Sequence, residues 1–349
     1  MHRVARIPPK FYPHRRWRRQ KSWLLENIWT PWATHHFQKT LGILKPEVVW
    51  VIPHGWSIPP VAAALPQSGI GFHVSIHDYP DVRGHVMRFG ADRSYRLGTM
   101  VDQLYSSAAT RDAISQPMAD DLRARTGRDG TITRAGLEEE DFHYLSGKTD
   151  SHADSIRIAY AGTILAEKEF AIFAQVLARI RQQLPAPLWL DFFGDHSYRS
   201  GDWFDPAWMR ECGHLPAPQL SEALKKCTWG FSPMELTDEN PRYNRFSFPT
   251  KFISYLAAGL PVIALGHPEC SVVKMAQTYR VGPCIASSDP ECLGQVLLKA
   301  LSEPNLWSKY GQEILRCSQT EFDASRMRRV LYGCFGQCAG QSRRGADSP

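Results

Sequence analysis

The segment Phe248-Pro249-Thr250-Lys251-Phe252-Ile253-Ser254-Tyr255-Leu256-Ala257-Ala258-Gly259-Leu260-Pro261-Val262-Ile263-Ala264 constrains the fold of this chain more than any other. It reads as a short helix, a glycine stop and a buried strand. Thr250 suits the N-cap, Ala257 and Ala258 permit close approach, Gly259 suits the C-cap, and Pro261 prevents the helix from resuming. The apolar run from Val262 to Leu265 suits a strand covered on both faces of a parallel sheet. The same alternation extends on either side: strands at 156–161, 188–193, 228–232 and 283–286, with helices at 167–183, 218–226, 270–278 and 290–302. Such alternation predicts a parallel sheet wrapped by helices.

Upstream the pattern is shorter. Val48 to Ile52 is a continuous apolar run ended by Pro53 and Gly55, a helix is expected around Pro60 to Leu65, and Phe72 to Ile76 reads as a second strand. Residues 95–109 read as a helix, and Ala113-Ile114-Ser115 leads into a helix from Pro117 to Arg125. At 349 residues the chain has room for two α/β domains. The expected division is a basic, aromatic arm and helix at 1–45, an N-terminal Rossmann-like domain at 46–147, a C-terminal one at 148–338, and a disordered tail at 339–349. The polar stretch Gly147 to Ser155 reads as the linker, and a single helix is expected over 305–335.

Hydrophobic content of 43% and charged content of 22% suit a globular domain, and no apolar run is long enough to span a bilayer. Met1 to Trp23 is charged and lacks an apolar h-region, so a cytoplasmic protein is expected. All eight cysteines lie in the second half, without a C-x-x-C pair, and are expected to be reduced thiols; no metal site is expected. The net charge of +6 is concentrated in residues 1–21, which carry eight Arg or Lys and no acid. Arg15, Arg16, Arg18 and Arg19 lie among Phe11, Tyr12, Trp17 and Trp23, a mixture suited to an anionic membrane surface. A solvated basic arm fits the same residues, and nucleic acid is the weaker fit.

Four stretches, in order, carry a resemblance. Phe248 to Ala264 resembles the "P-x-K-x-x-E-Y-L-A-A-G-x-P-V-I" signature of retaining glycosyltransferases of the GT-B fold, especially the family-4-like group (glycosyl transferases group 1). Ile158 to Lys168 resembles that family's "strand, G-R-L, then K" segment. Trp189 to Gly194 resembles the next strand, which ends in glycine beside the donor, and Phe72 to Asp78 resembles the N-terminal strand whose trailing histidine faces the cleft. The resemblance implies two Rossmann-like domains facing a cleft, and a metal-independent enzyme that moves a sugar from a nucleotide-diphosphate sugar to a glycan or lipid-linked acceptor with retention, in polysaccharide or cell-envelope glycan synthesis. It implies no cofactor beyond that co-substrate.

Carried over by position, the resemblance puts Gly162, Thr163, Lys168, Gly194, Lys251 and Ser254 at the donor. Lysines and helix N-termini are the groups that neutralise a departing diphosphate. His77 and Asp78, at the carboxyl end of a predicted strand, become the catalytic candidates, because ligands of such folds bind there. His54, Trp56, Asp81 and Arg245 are candidates for the sugar or acceptor, Trp56 as a stacking platform.

The chain departs from the family at defined points. The usual Arg after the glycine of G-R-L is Thr163, and the paired glutamates eight positions apart are Phe246 and Ser254. The opening strand, glycine-rich loop and helix of the N-terminal domain have no counterpart in residues 1–45, so that lobe is short or a front portion is missing. A catalytically weakened binding or scaffold protein of a polysaccharide assembly is the competing reading. An epimerase-like reaction lacks a carboxylate cluster, and a dinucleotide enzyme lacks a G-x-G-x-x-G after any strand.

Overall fold

The structure is a computed structural model and describes residues 23–79, 90–150, 154–239 and 241–346. The arm arginines and Asp81 lie outside the described residues. The chain divides into two compact units, the first formed by residues 1–133 with 328–349, the second by residues 134–327.

The first unit is built on a four-stranded parallel sheet in the order β1 (Val49–Val51), β2 (Phe72–Ile76), β3 (Thr110–Ala113) and β4 (Thr131–Ile132). Helices Thr30–Leu44, Ile58–Ala64, Ala91–Ser107 and Gln116–Thr126 accompany it, the first preceded by a π-helical turn at Leu25–Trp29. Ser115 caps its helix by accepting from the Met118 amide, and Gly127 ends it with φ +68. One face of the sheet carries a buried polar network that sequence reading missed. His73 bridges Thr110 and Asp112, each at 2.8 Å, and Ser75 donates to Asp112. Phe335 and Cys338 of the last helix cover it, Phe335 edge-on to His73 and Cys338 beside the Thr110 hydroxyl. Buried polar groups need such partners, so this face is polar and yet closed.

The second unit holds a six-stranded parallel sheet ordered β10-β9-β8-β5-β6-β7, with β5 Ile156–Ala161, β6 Leu188–Phe193, β7 Met209–Gly213, β8 Trp229–Pro233, β9 Val262–Leu265 and β10 Cys284–Ile285. The order reverses direction at β5/β8, as in doubly wound nucleotide-binding sheets. Its core stacks Phe173 on Phe231 with ring centroids 3.6 Å apart, beside the buried Phe170 and Trp229. β7 was absent from the sequence reading. As an edge strand its Arg210, Glu211 and Cys212 are only half-buried, so no apolar run marks it; Arg210 instead pairs with the fully buried Asp191 of β6, which also binds Arg157.

Several expectations are corrected. The helix expected over 305–335 is two, Leu306–Glu321 and Ala324–Ala346, because Phe322 and Ala324 exchange backbone hydrogen bonds with Leu137 and Asp323 accepts the Arg326 amide. The last helix, anchored by the buried Cys334 and Cys338, continues to Ala346, through most of the stretch expected to be a disordered tail. Residues 134–150 join the second unit, where sequence reading ended the first domain at 147. Lys148 donates to the Ala258 and Gly259 carbonyls, and Asp150 accepts from Trp307 and Ser308, so the polar stretch after Gly147 is tied down at its start. Residues 241–246, which carry Arg245, form a short helix with Asn244 buried and bonded to the Thr237 carbonyl. Finally, Pro249 and not Thr250 occupies the N-cap of helix Thr250–Ala257.

Candidate functional site

Helix Thr250–Ala257 is fixed to the sheet by Tyr255. Its ring lies over Gly230 of β8, where any Cβ would stand 2.3 Å from the ring, and its hydroxyl accepts the Ala161 amide at 2.9 Å. A tyrosine on the helix and a glycine on the neighbouring strand therefore bring the helix start to the carboxyl ends of β5 and β8. Ala258, not Gly259, is the C-cap, and Gly259 follows it with φ +65. Helical periodicity turns Phe252, Tyr255 and Leu256 inward and leaves Lys251 and Ser254 on the side facing a pocket.

That pocket, about 470 Å³, opens at the carboxyl ends of the strands of the second unit. β5 ends in Gly162, whose φ of +90 suits glycine and turns the chain away; its amide donates to the Phe193 carbonyl of β6. Thr163 and Gly194 follow on the two strands, and Thr250, Lys251 and Ser254 line the opposite wall. No side chain caps the start of helix Thr250–Ala257; the Phe252 amide donates to the Pro249 carbonyl at 3.1 Å, and the positive end of the helix dipole at Thr250 and Lys251 favours an anion. Of the sequence-derived donor residues, Gly162, Thr163, Gly194, Lys251 and Ser254 thus meet in one pocket.

Lys168 does not line that pocket. It lies exposed in the first turn of helix Glu167–Ile180, while its neighbours Glu169 and Phe170 turn inward, Glu169 accepting the Leu236 amide. Asp195, His196, His214 and Tyr243 do line the pocket and were not among the expected residues. His196 lies 3.4 Å from the Thr163 hydroxyl, and His214 lies 3.5 Å from Asp195. Asp195, His196 and His214 sit on loops after β6 and β7, and Tyr243 in the short helix 241–246; with β7 unrecognised only the glycine after β6 gave a signal.

Lys251 is the group the fold perturbs most usefully. Its Nζ donates to the Tyr160 hydroxyl at 2.7 Å, and that hydroxyl donates to the Thr163 carbonyl at 2.7 Å. Burial lowers the Lys251 pKa to about 7, and burial likewise pushes the Tyr160 phenol well above its ordinary value. The amine is thereby poised to gain a proton when an anion arrives. Ser254 is partly exposed; its hydroxyl donates to the Thr250 carbonyl at 3.4 Å and keeps its lone pairs to accept from a ligand hydroxyl.

In the first unit His77 and Asp78 are exposed immediately after β2, at its carboxyl end. His54 caps the 3-10 turn Gly55–Ser57, and the Trp56 ring carries the Arg93 guanidinium 5.3 Å from its centroid. Arg245 pairs with Asp238 at 3.1 Å in the second unit. Among the described residues no cluster of three or more His, Cys, Asp or Glu has the arrangement of a metal site, and all eight cysteines are free thiols.

No family model and no curated protein matches this sequence. Solved structures do match the fold. A mutant of S. aureus TarM in complex with fondaparinux, alpha-GlcNAc-glycerol and UDP superposes with a TM-score of 0.61 at 10% identity, over 86% of this chain and 58% of that one. Alpha,alpha-trehalose 6-phosphate synthase from Burkholderia multivorans gives 0.63 at 12% identity, over 95% and 78%. Sucrose-phosphate synthase from Thermosynechococcus elongatus gives 0.62 at 14% identity, over 90% and 78%. The chain therefore has the α/β GT-B fold of these glycosyltransferases, with two parallel sheets, and spans 58% of the length of TarM.

Proposed function

We propose that this chain is a glycosyltransferase that binds a nucleotide-diphosphate sugar in the pocket of its second unit and moves the sugar to a glycan or lipid-linked acceptor. The observation that carries the reading is the convergence of Thr163, Lys251, Ser254 and an uncapped helix start at the switch point of a doubly wound sheet. A TarM mutant that shares the fold is in complex with UDP, which supports a nucleotide as a ligand of a chain with this fold.

In this reading Lys251 and the first amides of helix Thr250–Ala257 neutralise the diphosphate, and His196 and His214 add donors at the rim. Ser254 takes the ribose contact, and Thr163 offers a hydroxyl where a guanidinium is usual. Retention follows from attack on the face the phosphate leaves: the acceptor oxygen bonds to the anomeric carbon, the carbon–phosphate oxygen bond breaks, and the acceptor proton passes to the departing phosphate. The chemistry requires no divalent metal, because the protein cations balance the leaving group. His77 and Asp78 act on the transferred sugar and acceptor hydroxyl, with His54, Trp56, Asp81, Arg245 and Lys168 as the remaining candidates for contact. The basic arm, through Arg15, Arg16, Arg18 and Arg19, holds a cytoplasmic enzyme to an anionic membrane for envelope or polysaccharide synthesis.

Incubation with UDP-, GDP- and ADP-sugars, monitored for release of the nucleoside diphosphate, tests the activity. Slow release without acceptor, from one nucleotide class, is expected. A second reading is favoured by one observation: Phe246, at the position of the first motif glutamate, is buried in its helix and offers the pocket no carboxylate. Under that reading the chain is a binding component of a polysaccharide assembly. Tight nucleotide binding with no release at any enzyme concentration would select it.

A further inference from the structure

Of the large hydrophobic side chains left exposed among the described residues, all but Leu165 belong to the first unit. The densest group lies on the helical segment that runs from Trp23 through the π-helical turn Leu25–Trp29 and helix Thr30–Leu44. Leu25, Ala33 and Leu41 are buried on its inner side. The outer side exposes Trp23 (58%), Leu24, Ile28 (56%) and Trp32 (51%), followed by Ile43 and Leu44 at its end. Leu24, Ile28 and Trp32 recur at four-residue spacing, which places them in one row.

The charges on that outer side have one sign. Between residues 23 and 45 the exposed polar residues include Lys39 and Lys45 and no carboxylate; Glu26, the segment's single acid, is half-buried and engaged by Arg93 and Arg96. The preceding residues 1–21 add eight Arg or Lys and no acid. No helix among the described residues is long and apolar enough to cross a membrane. An apolar row with exposed tryptophans, whose own exposed charges are the cations Lys39 and Lys45, complements an anionic lipid interface, in whose plane such a helix lies.

We propose that the outer face of the segment from Trp23 to Leu44 lies in the interface of an anionic phospholipid bilayer, with Trp23, Ile28 and Trp32 entering the headgroup and upper acyl region. This extends the reading that the basic arm meets an anionic surface by naming the apolar element that enters it, and it stands whether or not the chain transfers sugar. The arm supplies attraction that salt screens; the inserted side chains supply the part that salt leaves standing.

Co-sedimentation of the full chain with vesicles of equal parts phosphatidylcholine and phosphatidylglycerol, and with phosphatidylcholine alone, tests it. The variant carries Trp23→Ser, Ile28→Ser and Trp32→Ser together, three exposed positions, with circular dichroism to verify folding. The intact chain is expected to bind the anionic vesicles, and the variant to bind about tenfold more weakly or less. The remaining tryptophan signal should no longer shift to the blue on addition of lipid to the extent seen in the intact chain. Equal binding by the variant, or no binding by the intact chain, overturns the proposal. So does a dimer of the intact chain that the three substitutions dissolve without any vesicle binding, since a second copy then covers the face. Titration of both proteins with UDP in the absence of lipid reports the donor pocket separately, so a failed membrane result leaves the sugar-transfer reading to its own test.

Discussion

The Tyr255 hydroxyl accepts the Ala161 amide at 2.9 Å, joining the helix that carries Lys251 and Ser254 to the end of the strand that carries Gly162. Both groups are buried, so neither finds water as a substitute. Tyr255→Phe leaves the Ala161 amide unpaired and is expected to cost about 1 to 3 kcal/mol of stability. Chemical denaturation reads that loss directly. Gly230→Ala, which drives a methyl into the Tyr255 ring, should cost at least as much, and a variant of either kind with wild-type stability would show that the helix is anchored elsewhere.

Lys251 gives the pocket a pH dependence whose sign is fixed. Its folded pKa of about 7 is below the ordinary lysine value of 10.5, so between these the unfolded chain binds more protons and stability rises with pH. The buried tyrosines reverse the trend above about pH 10, where unfolded phenols ionise first. Lys251→Met should therefore flatten the rise in melting temperature between pH 7 and 9. Affinity for a UDP-sugar should move the other way, falling as pH rises above about 7, because the diphosphate needs the ammonium form; in Lys251→Met that slope should vanish.

The two lysines of the donor set should differ. Lys251→Met is expected to weaken UDP binding by about 1 to 3 kcal/mol, the loss of a charge-assisted hydrogen bond to phosphate. Lys168→Ala, at an exposed position outside the pocket wall, should cost less than about 1 kcal/mol. Isothermal titration of both variants ranks them, and the reverse order would move the phosphate site to the start of helix Glu167–Ile180.

Ser254→Glu places a carboxylate at the position where the sequence resemblance implies a glutamate. Ser254 lines the pocket and is partly exposed, so the longer side chain should be accommodated with little loss of stability and should hold the ribose at least as well as serine. Unfolding of that variant would mean that the position faces the core.

Much of this arrangement was legible in the sequence, and what was hidden has a common cause. β5, β6, β8 and β9 are largely apolar because both faces are covered, and each is followed by or ends in a glycine or proline that marks the site edge. Thr163 and Gly194 stand next to such ends, whereas Lys251 and Ser254, on the helix before β9, were placed by position in the resembled motif. β7 and β4 lie at sheet edges, where half-exposed residues interrupt the pattern, and with β7 went His214 on the loop after it. Lys168 matched by position along the chain, yet the helix turn that carries it buries Glu169 and Phe170, and only three-dimensional periodicity separates the inward from the outward residue. The break at Phe322 was hidden because its cause, pairing with Leu137, is distant in sequence, although Asp323 is a recognisable helix cap.

Any sugar transfer should persist in the presence of a chelator. The reading assigns charge balance to Lys251, His196, His214 and helix amides. Loss of turnover on chelation, restored by magnesium or manganese, would instead assign that balance to a bound ion.

The most direct measurement is calorimetric titration of the intact chain with UDP-, GDP- and ADP-hexoses at pH 8, above the Lys251 pKa of about 7, repeated with Lys251→Met. One nucleotide class is expected to bind at a single site, with proton uptake revealed by buffers of different ionisation enthalpy and abolished in the variant. Absence of binding across all three classes, or binding that Lys251→Met leaves unchanged in both affinity and proton uptake, would contradict a donor site in this pocket.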